Sequence, residues 1–196
     1  MHIADGIIPV SVCLAADAVA LGGAYLFGRK LEAEEVPKMG LTAAAVFTVS
    51  LLNFPLGGAS IHLGLFGFAG ILLGVRAFPV VFATLLFQSL VFQHGGLISL
   101  GLNSVNMGAG ALAGWLIWRA LLFAPSIIPA FLAGFAGIFL PALMMAAEFS
   151  LAGYGKGIFY IMMIYLPAAV IEGILTVFII GFFKKSRPEL LSRKKK

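Results

Sequence analysis

Residues 157–183 read GIFYIMMIYLPAAVIEGILTVFIIGFF, a run of 27 residues with one charged side chain, Glu172. A helix that crosses a bilayer needs about 20 predominantly apolar residues, so this run is long enough to span one. The rest of the chain is similar, because 61% of its 196 residues are hydrophobic and 11% are charged. An ordinary soluble domain carries about 25% charged residues. The sequence therefore predicts an all-α integral membrane protein.

Seven hydrophobic segments predict a compact bundle of about seven transmembrane helices. A transmembrane β-barrel is excluded, because its strands alternate apolar and polar residues over about ten positions, whereas these segments are continuously apolar. The third and fourth segments are short, and glycines interrupt the third, as is typical of segments that fold into a binding region. We expect residues 1–196 to form a single transmembrane domain. The segments run approximately over residues 9–28, 39–55, 62–75, 78–92, 105–123, 127–149 and 157–183.

The basic residues predict the orientation of the bundle, since Lys and Arg accumulate in cytoplasmic loops. An N-terminus outside and a C-terminus in the cytoplasm place twelve of the 13 basic residues inside and leave Lys156 outside. Seven of them lie in a basic tail, residues 184–196, which is better explained as an anchor against anionic lipid than as a nucleic-acid site. The first segment lacks the flanks of a signal peptide. We therefore expect a multi-pass protein of the inner or plasma membrane.

The three histidines, His2, His62 and His94, all fall in the predicted outer segments. A histidine at the second position is too bulky for the usual removal of the initiator methionine, so we expect the terminal amine to belong to Met1. Met1 and His2 then offer three nitrogen donors: the amine, the His2 amide and the His2 imidazole. A fourth nitrogen from another imidazole completes a square plane, which suits Ni(II) or Cu(II). From the residues alone, His62 and His94 are equally well explained as membrane-interface or helix-capping residues.

Three separated motifs resemble the substrate-binding membrane subunit of cobalt and nickel energy-coupling-factor importers, the CbiM/NikM family. They are MHIADG at residues 1–6, GGASIHLGLFGFAGILLG at 57–74 and QHGGLISLGLNSVNMG at 93–108. The resemblance covers nearly the whole chain. It implies that Met1, His2 and His62 hold the metal and that residues 1–8 form an outer metal-binding segment.

Other polar residues near these motifs are candidates for ordering the loops or orienting the metal-bound imidazoles. Asp5 is equally well explained by a turn at Asp5-Gly6. The chain departs from the more common family start by Ala4 in place of proline and by Ile7-Ile8 in place of Phe-Leu, and none of these positions is a ligand. The candidates are Asp5, Ser60, Gln93, His94, Asn103 and Asn106.

The first helix carries Ala16, Ala20 and Ala24 at four-residue spacing, which permits close approach of another helix in lipid. Two explanations remain open: packing inside the bundle and, as the resemblance implies, contact with a coupling subunit. The sequence has no nucleotide-binding GxxxxGK[ST] loop, so the energy for transport must come from other chains. The resemblance implies a transmembrane coupling protein of the CbiQ/NikQ type, a pair of cytoplasmic ATPases and, in many cases, a small extra membrane subunit.

We therefore expect a transporter subunit that captures Ni(II) or Co(II) from outside and delivers it to the cytoplasm, without a cofactor of its own. The main alternative is an intramembrane enzyme that uses Glu148, Glu172 or Asp17 with a histidine. It is disfavoured because HExxH is missing and the mid-span acids lie far from the outer histidines. A passive channel is disfavoured because the fourth and fifth helices offer few polar residues beyond Thr84 and Gln88.

Two single residues complete the prediction. Cys13 has no second cysteine to pair with, which excludes a disulfide framework and a cysteine-based zinc site, so we expect a small core residue. Glu148 lies near the outer end of the sixth helix, where we expect it to face the same cavity as Asp5. Nickel and cobalt both remain open as the substrate.

Overall fold

The computed structural model describes residues 2–56, 59–155 and 157–191, with the side chains of residues 53–56, 59 and 60 left out of the description. Within these ranges the chain forms seven α-helices and one β-hairpin. The hairpin pairs β1 (Asn53–Leu56) with β2 (Ala59–His62) in antiparallel register, so that His62 lies opposite Asn53. The helices are α1 (Val10–Gly28), α2 (Glu35–Ser50), α3 (Phe66–Leu73), α4 (Ala77–Phe92), α5 (Leu100–Ala120), α6 (Ile127–Leu151) and α7 (Ile158–Ser186).

Four apolar helical stretches among the described residues are long enough to cross a membrane. They are Val10–Gly28, Phe66–Phe92, Ile127–Leu151 and Ile158–Ser186. Large apolar side chains are exposed on these helices, for example Val19 at 62% and Phe178 at 71%, as expected where a surface faces lipid rather than water. The predicted helical membrane protein is confirmed. The count of seven membrane crossings and the orientation stay predictions.

The sequence-based helix boundaries are wrong between residues 51 and 65. The second helix was expected to reach residue 55 but ends at Ser50, and the third was expected from residue 62 but begins at Phe66. Pro55 explains the first difference, because proline has no backbone N–H to donate inside a helix. His62 therefore lies at the end of β2 and not at the start of a helix, and the all-α expectation needs the hairpin as an exception.

The described part of the chain has two distinct ends. The Arg76 side chain donates to the carbonyl oxygens of Phe27 at 2.6 Å and Arg29 at 2.8 Å, which places it beside the end of α1. His94 follows the end of α4, a helix of 16 residues that is about 24 Å long. Since His62 lies beside His94, the chain runs from the histidine end to Arg76 through α3 and returns through α4.

Helix α3 lies in the centre of the molecule, where its glycines allow close contact with two neighbours. A Cβ atom on Gly67 would lie 1.9 Å from the carbonyl oxygen of Ala133 on α6, and one on Gly70 would lie 1.9 Å from that of Ala111 on α5. Small residues of this kind permit the helix backbones to approach in lipid, where packing drives association. The central helix thereby fixes the position of the hairpin that precedes it.

The small-residue stripe of α1 also packs inside the chain. Ala20 is fully buried, Ala16 packs against the core, and Ala24 is half-buried. Of the two explanations for the stripe, internal packing fits this burial. No surface of the Ala20 side chain is left exposed, while the contact of Ala16, Ala20 and Ala24 with a coupling subunit stays a prediction. Cys13 is buried as expected.

Candidate metal centre

Three histidine side chains from separate parts of the chain meet at one end of the bundle. The ring centroids of His2 and His62 are 4.6 Å apart, and that of His94 lies 4.3 Å from His2 and 5.5 Å from His62. One possible ligand atom from each residue lies within 4.8 Å of the other two. Two imidazole nitrogens that bind one metal ion at about 2.1 Å are about 3–4 Å apart. Small side-chain rotations therefore suffice to place all three around one ion.

The hydrogen bonds around the rings indicate which nitrogens face the centre. Nδ1 of His62 lies 3.2 Å from the carbonyl oxygen of Leu63, so that an N–H on Nδ1 donates to it and the lone pair is on Nε2. Both ring nitrogens of His2 and Nε2 of His94 are buried without a hydrogen-bond partner among the described residues. Buried polar atoms in proteins are nearly always paired. A metal ion bound between the rings would give these nitrogens a partner.

The environment keeps the three rings in the form that binds metal. Burial lowers the pKa of His2 and of His62 well below the usual 6.5, and the neighbouring His94 lowers both further. The nearby side chain of Gln88 raises the pKa of His2 in the opposite direction. The ring nitrogens of His2 nevertheless form no hydrogen bond of ordinary geometry with it. Burial also lowers the pKa of His94. All three imidazoles are therefore neutral at pH 7, as metal ligation requires.

Backbone hydrogen bonds hold the N-terminal segment in place next to His2. The N–H of Ile3 donates to Oδ1 of Asn103 at 2.8 Å, and Nδ2 of Asn103 donates to the Ile3 carbonyl oxygen at 3.0 Å. The hydroxyl of Ser99 donates to the same carbonyl oxygen at 2.7 Å. The Ile3 side chain is fully buried. The residue that follows His2 is thus fixed through both its backbone groups and its side chain.

Asp5 fixes the same segment to the start of α5. Its carboxylate accepts hydrogen bonds from the N–H of Ser99 at 2.8 Å and the N–H of Ile98 at 3.3 Å. Its Oδ1 also lies 3.0 Å from the hydroxyl of Ser99, whose single hydrogen it shares with the Ile3 carbonyl oxygen. Burial alone would raise the pKa of Asp5, but these hydrogen bonds outweigh it and lower the pKa below 3.8. Asp5 is therefore charged at neutral pH and acts as an anchor for the segment.

A tight loop brings His94 onto His2. Gln93 ends α4 in the left-handed conformation, with φ 51°, and the N–H of His94 donates to the Gln88 carbonyl oxygen at 3.2 Å. Gly95 has φ +81°, and a Cβ atom there would lie 3.3 Å from Cδ2 of His2. The side chain of Gln88, which is fully buried, donates to the hydroxyl of Ser50 on α2.

Two residues of this site escaped the sequence analysis. Gln88 was considered only as a polar residue for a pore, and Ser99 was not singled out. An amide in an otherwise apolar helix was the signal for Gln88. For Ser99 the signal was its place between the HGGL residues and Asn103.

The three acids within the helices hold the fold together. Asp17 accepts from the N–H of Gly101 at 2.6 Å, at the start of α5. Glu172 accepts from the N–H groups of Gly64 at 2.5 Å and Leu65 at 3.0 Å, just before α3. These positions are helix N-termini, whose orphan N–H groups favour an anionic acceptor. The carboxylates thus have structural roles in place of the enzymatic ones considered from sequence.

The third acid accounts for one of the predicted loop-ordering residues. Nδ2 of Asn106 donates to Oε2 of Glu148 at 2.8 Å, which links α5 to α6. Glu148 therefore pairs with an amide, while Asp5 pairs with Ser99 and Ile98. The expectation that Glu148 and Asp5 share a cavity receives no support from these contacts.

The predicted site residues divide into three groups. The structure brings together His2, His62 and His94. Asp5 lies on the segment that carries His2, and Asn103 contacts that segment from α5. Gln93 ends α4 immediately before His94, and Asn106 lies one turn beyond Asn103 on α5, where it bonds to Glu148. Met1, the side chain of Ser60 and the tail from residue 192 onward lie outside the described residues.

Comparison with solved structures supports the fold. The chain superposes on a truncated transition metal transporter with a TM-score of 0.84 and 23% sequence identity, over 95% of this chain and 99% of that one. A second transition metal transporter structure gives a TM-score of 0.83 at 24% identity, over 95% of this chain and 93% of that one.

Sequence relatives cover the same length of this chain. The cobalt transport protein CbiM of Sorangium cellulosum is 30% identical over 98% of this chain and 95% of its own length. The CbiM protein of Geobacter sulfurreducens is 33% identical over 98% of this chain and 62% of its own length. The fused nickel transport protein NikMN of Rhodobacter capsulatus is 29% identical over 98% of this chain and 64% of its own length. The chain thus spans less than two thirds of the last two proteins.

The family model for the cobalt uptake substrate-specific transmembrane region, CbiM, matches residues 2–190. This match begins at His2 and extends past the end of α7 at Ser186. The resemblance inferred from the three motifs is therefore confirmed. The chain belongs to the CbiM family and is the substrate-specific membrane component of a metal uptake system.

Proposed function

We propose that this chain captures Ni(II) or Co(II) from outside the cell through Met1, His2 and His62, as the substrate-binding subunit of an ATP-driven energy-coupling-factor importer. The observation that carries the proposal is that the neutral imidazoles of His2, His62 and His94 meet at one point. His2 is held there because both backbone polar groups of Ile3 are hydrogen-bonded. The relatives named for cobalt and nickel transport support the choice of metals.

The donor set selects the class of metal. His2 and His62 offer nitrogen ligands, and the nearby carboxylate of Asp5 is engaged by Ser99 and Ile98. Mg(II) and Ca(II) prefer oxygen ligands, whereas Ni(II) and Co(II) bind imidazole well. The terminal amine and the deprotonated His2 amide would complete four nitrogens in a plane. Loss of the amide proton also compensates part of the charge of the ion.

The energy for import comes from partner chains. We expect a transmembrane coupling protein of the CbiQ/NikQ type, two cytoplasmic ATPases and a small extra membrane subunit, whose action rearranges or topples this subunit to release the metal inside. The basic residues Arg76 and Lys38 favour the cytoplasm for the end of the bundle remote from the histidines. The N-terminus and the metal centre then face outward.

Metal binding by the purified full chain with its native N-terminus tests the proposal. We expect that one extra residue before Met1 abolishes tight Ni(II) binding in calorimetric titrations, because the amine is then displaced from the chelate. One extra residue after Lys196 is the matched control and should leave the affinity unchanged. His2→Ala and His62→Ala should each remove tight binding. Retention of the wild-type affinity by these variants would show that the site is wrong.

Orientation and energy coupling need separate tests. In a Cys13→Ala background, single cysteines at positions 2 and 195 should be labelled from opposite sides of the membrane, and labelling from one side would contradict the predicted topology. In cells, uptake of radioactive Ni(II) should require this chain together with the coupling protein and active ATPases. Uptake that persists with inactive ATPases would exclude the ATP-driven mechanism.

A further inference from the structure

We infer that His94 is a further ligand of the metal, binding from outside the plane of the other nitrogens, and that it raises the affinity of the site for Co(II) relative to that for Ni(II). This inference rests on the proposed metal site at His2 and His62. It assigns His94 a role that differs from the loop ordering expected from the sequence.

The orientation of the rings separates His94 from the other two histidines. The rings of His2 and His62 are stacked, with an angle of 28° between their planes. The ring of His94 stands at 75° to that of His2 and at 69° to that of His62. Its ligand atom nevertheless lies within 4.8 Å of theirs. The ring plane of His94 is therefore oriented differently from the two stacked rings, although its ligand atom belongs to the same cluster.

The ring of His94 is not needed to hold its own loop. The backbone N–H of His94 bonds to Gln88, and farther along the loop the backbone N–H groups of Ile98 and Ser99 bond to Asp5. Nε2 of His94 is buried and has no hydrogen-bond partner among the described residues. A loop-ordering histidine would use this nitrogen in a hydrogen bond. The unpaired nitrogen is instead available to a metal ion.

The two candidate metals respond differently to such a ligand. Ni(II) in a strong field of four planar nitrogens is low-spin and gains little from a ligand above the plane. Co(II) readily takes five or six ligands, so an imidazole above the plane adds a full metal–nitrogen bond. His94 therefore contributes mainly to Co(II) affinity, and its removal should shift the selectivity of the site toward nickel.

Paired titrations of the full chain with Ni(II) and with Co(II) test this role. We expect His94→Ala to weaken Co(II) binding about tenfold or more, equivalent to about 1.4 kcal/mol, while Ni(II) binding changes less than about threefold. Retained Ni(II) binding also shows that the variant is folded. Leu97→Ala, in the same loop at a residue that is 53% exposed, is the matched control and should change neither affinity. An equal effect of His94→Ala on the two metals, or no effect, would overturn the inference.

Spectroscopy supplies a second readout. NMR of the Co(II)-loaded chain should show three sets of strongly shifted imidazole signals, and His94→Ala should show two. Two sets in the wild type would also overturn the inference. If His2→Ala and His62→Ala instead leave both metals tightly bound, it is the proposed site that fails. Loss of binding in those two variants with no metal-selective effect of His94→Ala disproves the role of His94 alone.

Discussion

Asn103 pairs with the backbone of Ile3 as a neighbouring strand would, accepting from its N–H at 2.8 Å and donating to its carbonyl oxygen at 3.0 Å. One side chain on α5 thereby satisfies both polar groups of a fully buried residue. Because Ile3 follows His2 directly, this pair of hydrogen bonds fixes where the imidazole of His2 lies. The amide is thus a positioning group for the metal centre.

Removal of this amide should weaken metal binding while the bundle stays folded. In Asn103→Ala, the N–H and carbonyl of Ile3 each lose a hydrogen bond worth about 0.5–1.5 kcal/mol, so we expect Ni(II) affinity to fall by about 1–3 kcal/mol. Calorimetry measures the loss. Ser104→Ala is the control, since Ser104 is equally buried on the same helix and its hydroxyl has no hydrogen-bond partner among the described residues. Equal affinity in the two variants would contradict the positioning role.

A methyl group at Gly96 should release Asp5 from its binding position. A Cβ atom on Gly96 would lie 1.7 Å from Oδ1 of Asp5 and 2.6 Å from the hydroxyl of Ser99. We expect Gly96→Ala to reduce Ni(II) affinity by about tenfold or more, through loss of charge-assisted hydrogen bonds worth about 1.5–3 kcal/mol. Gly22→Ala, where a Cβ atom meets nothing within 4 Å, should leave the affinity unchanged. Unaltered binding by Gly96→Ala would show that Asp5 does not hold the segment in place.

Much of the fold was predictable because lipid requires continuous apolar helices. Apolar runs and the positions of glycine and proline suffice to locate α1, α4, α6 and α7 approximately. The hairpin at 53–62 was missed for two reasons. Its apolar residues follow those of α2 with almost no polar residues between them, and a short buried strand has no distinct hydrophobic periodicity.

The candidate site was predictable in part. The predicted topology placed His2, His62 and His94 in outer segments, and the resemblance selected the first two as ligands. That His94 shares their centre, and that Gln88 and Ser99 support it, depends on how α4 and α5 pack. Such contacts join residues up to 100 positions apart, and a single sequence contains no signal for their distances.

The stability of the metal-free chain should decrease as the pH falls below 6.5. Burial lowers the pKa of His2 and His62 in the folded chain, so the unfolded chain binds more protons below the usual pKa of about 6.5. Folding therefore loses up to about 1.4 kcal/mol per histidine for each pH unit below that value. The thermal unfolding midpoint in detergent with a chelator, measured from pH 7.5 to 5.0, checks this slope.

The double variant His2→Ala/His62→Ala is the control for the pH effect and should show a shallower slope over the same range. Asp5 does not contribute there, because its pKa is lowered from 3.8 and the stabilisation that it provides is lost only at more acidic pH. Identical slopes for the wild type and the double variant would mean that the two histidines are not buried in the neutral form.

Glu172 should be needed for stability and metal affinity as a hydrogen-bond acceptor. Its carboxylate accepts from the N–H groups of Gly64 and Leu65, immediately after the strand that carries His62. Glu172→Leu leaves both buried donors unpaired, at a cost of about 1–3 kcal/mol each, and should lower the unfolding midpoint and the Ni(II) affinity together. Glu172→Gln keeps an acceptor oxygen and should retain most of both. If Gln were as damaging as Leu, acceptance of hydrogen bonds from Gly64 and Leu65 by one oxygen atom would not account for the requirement for Glu172.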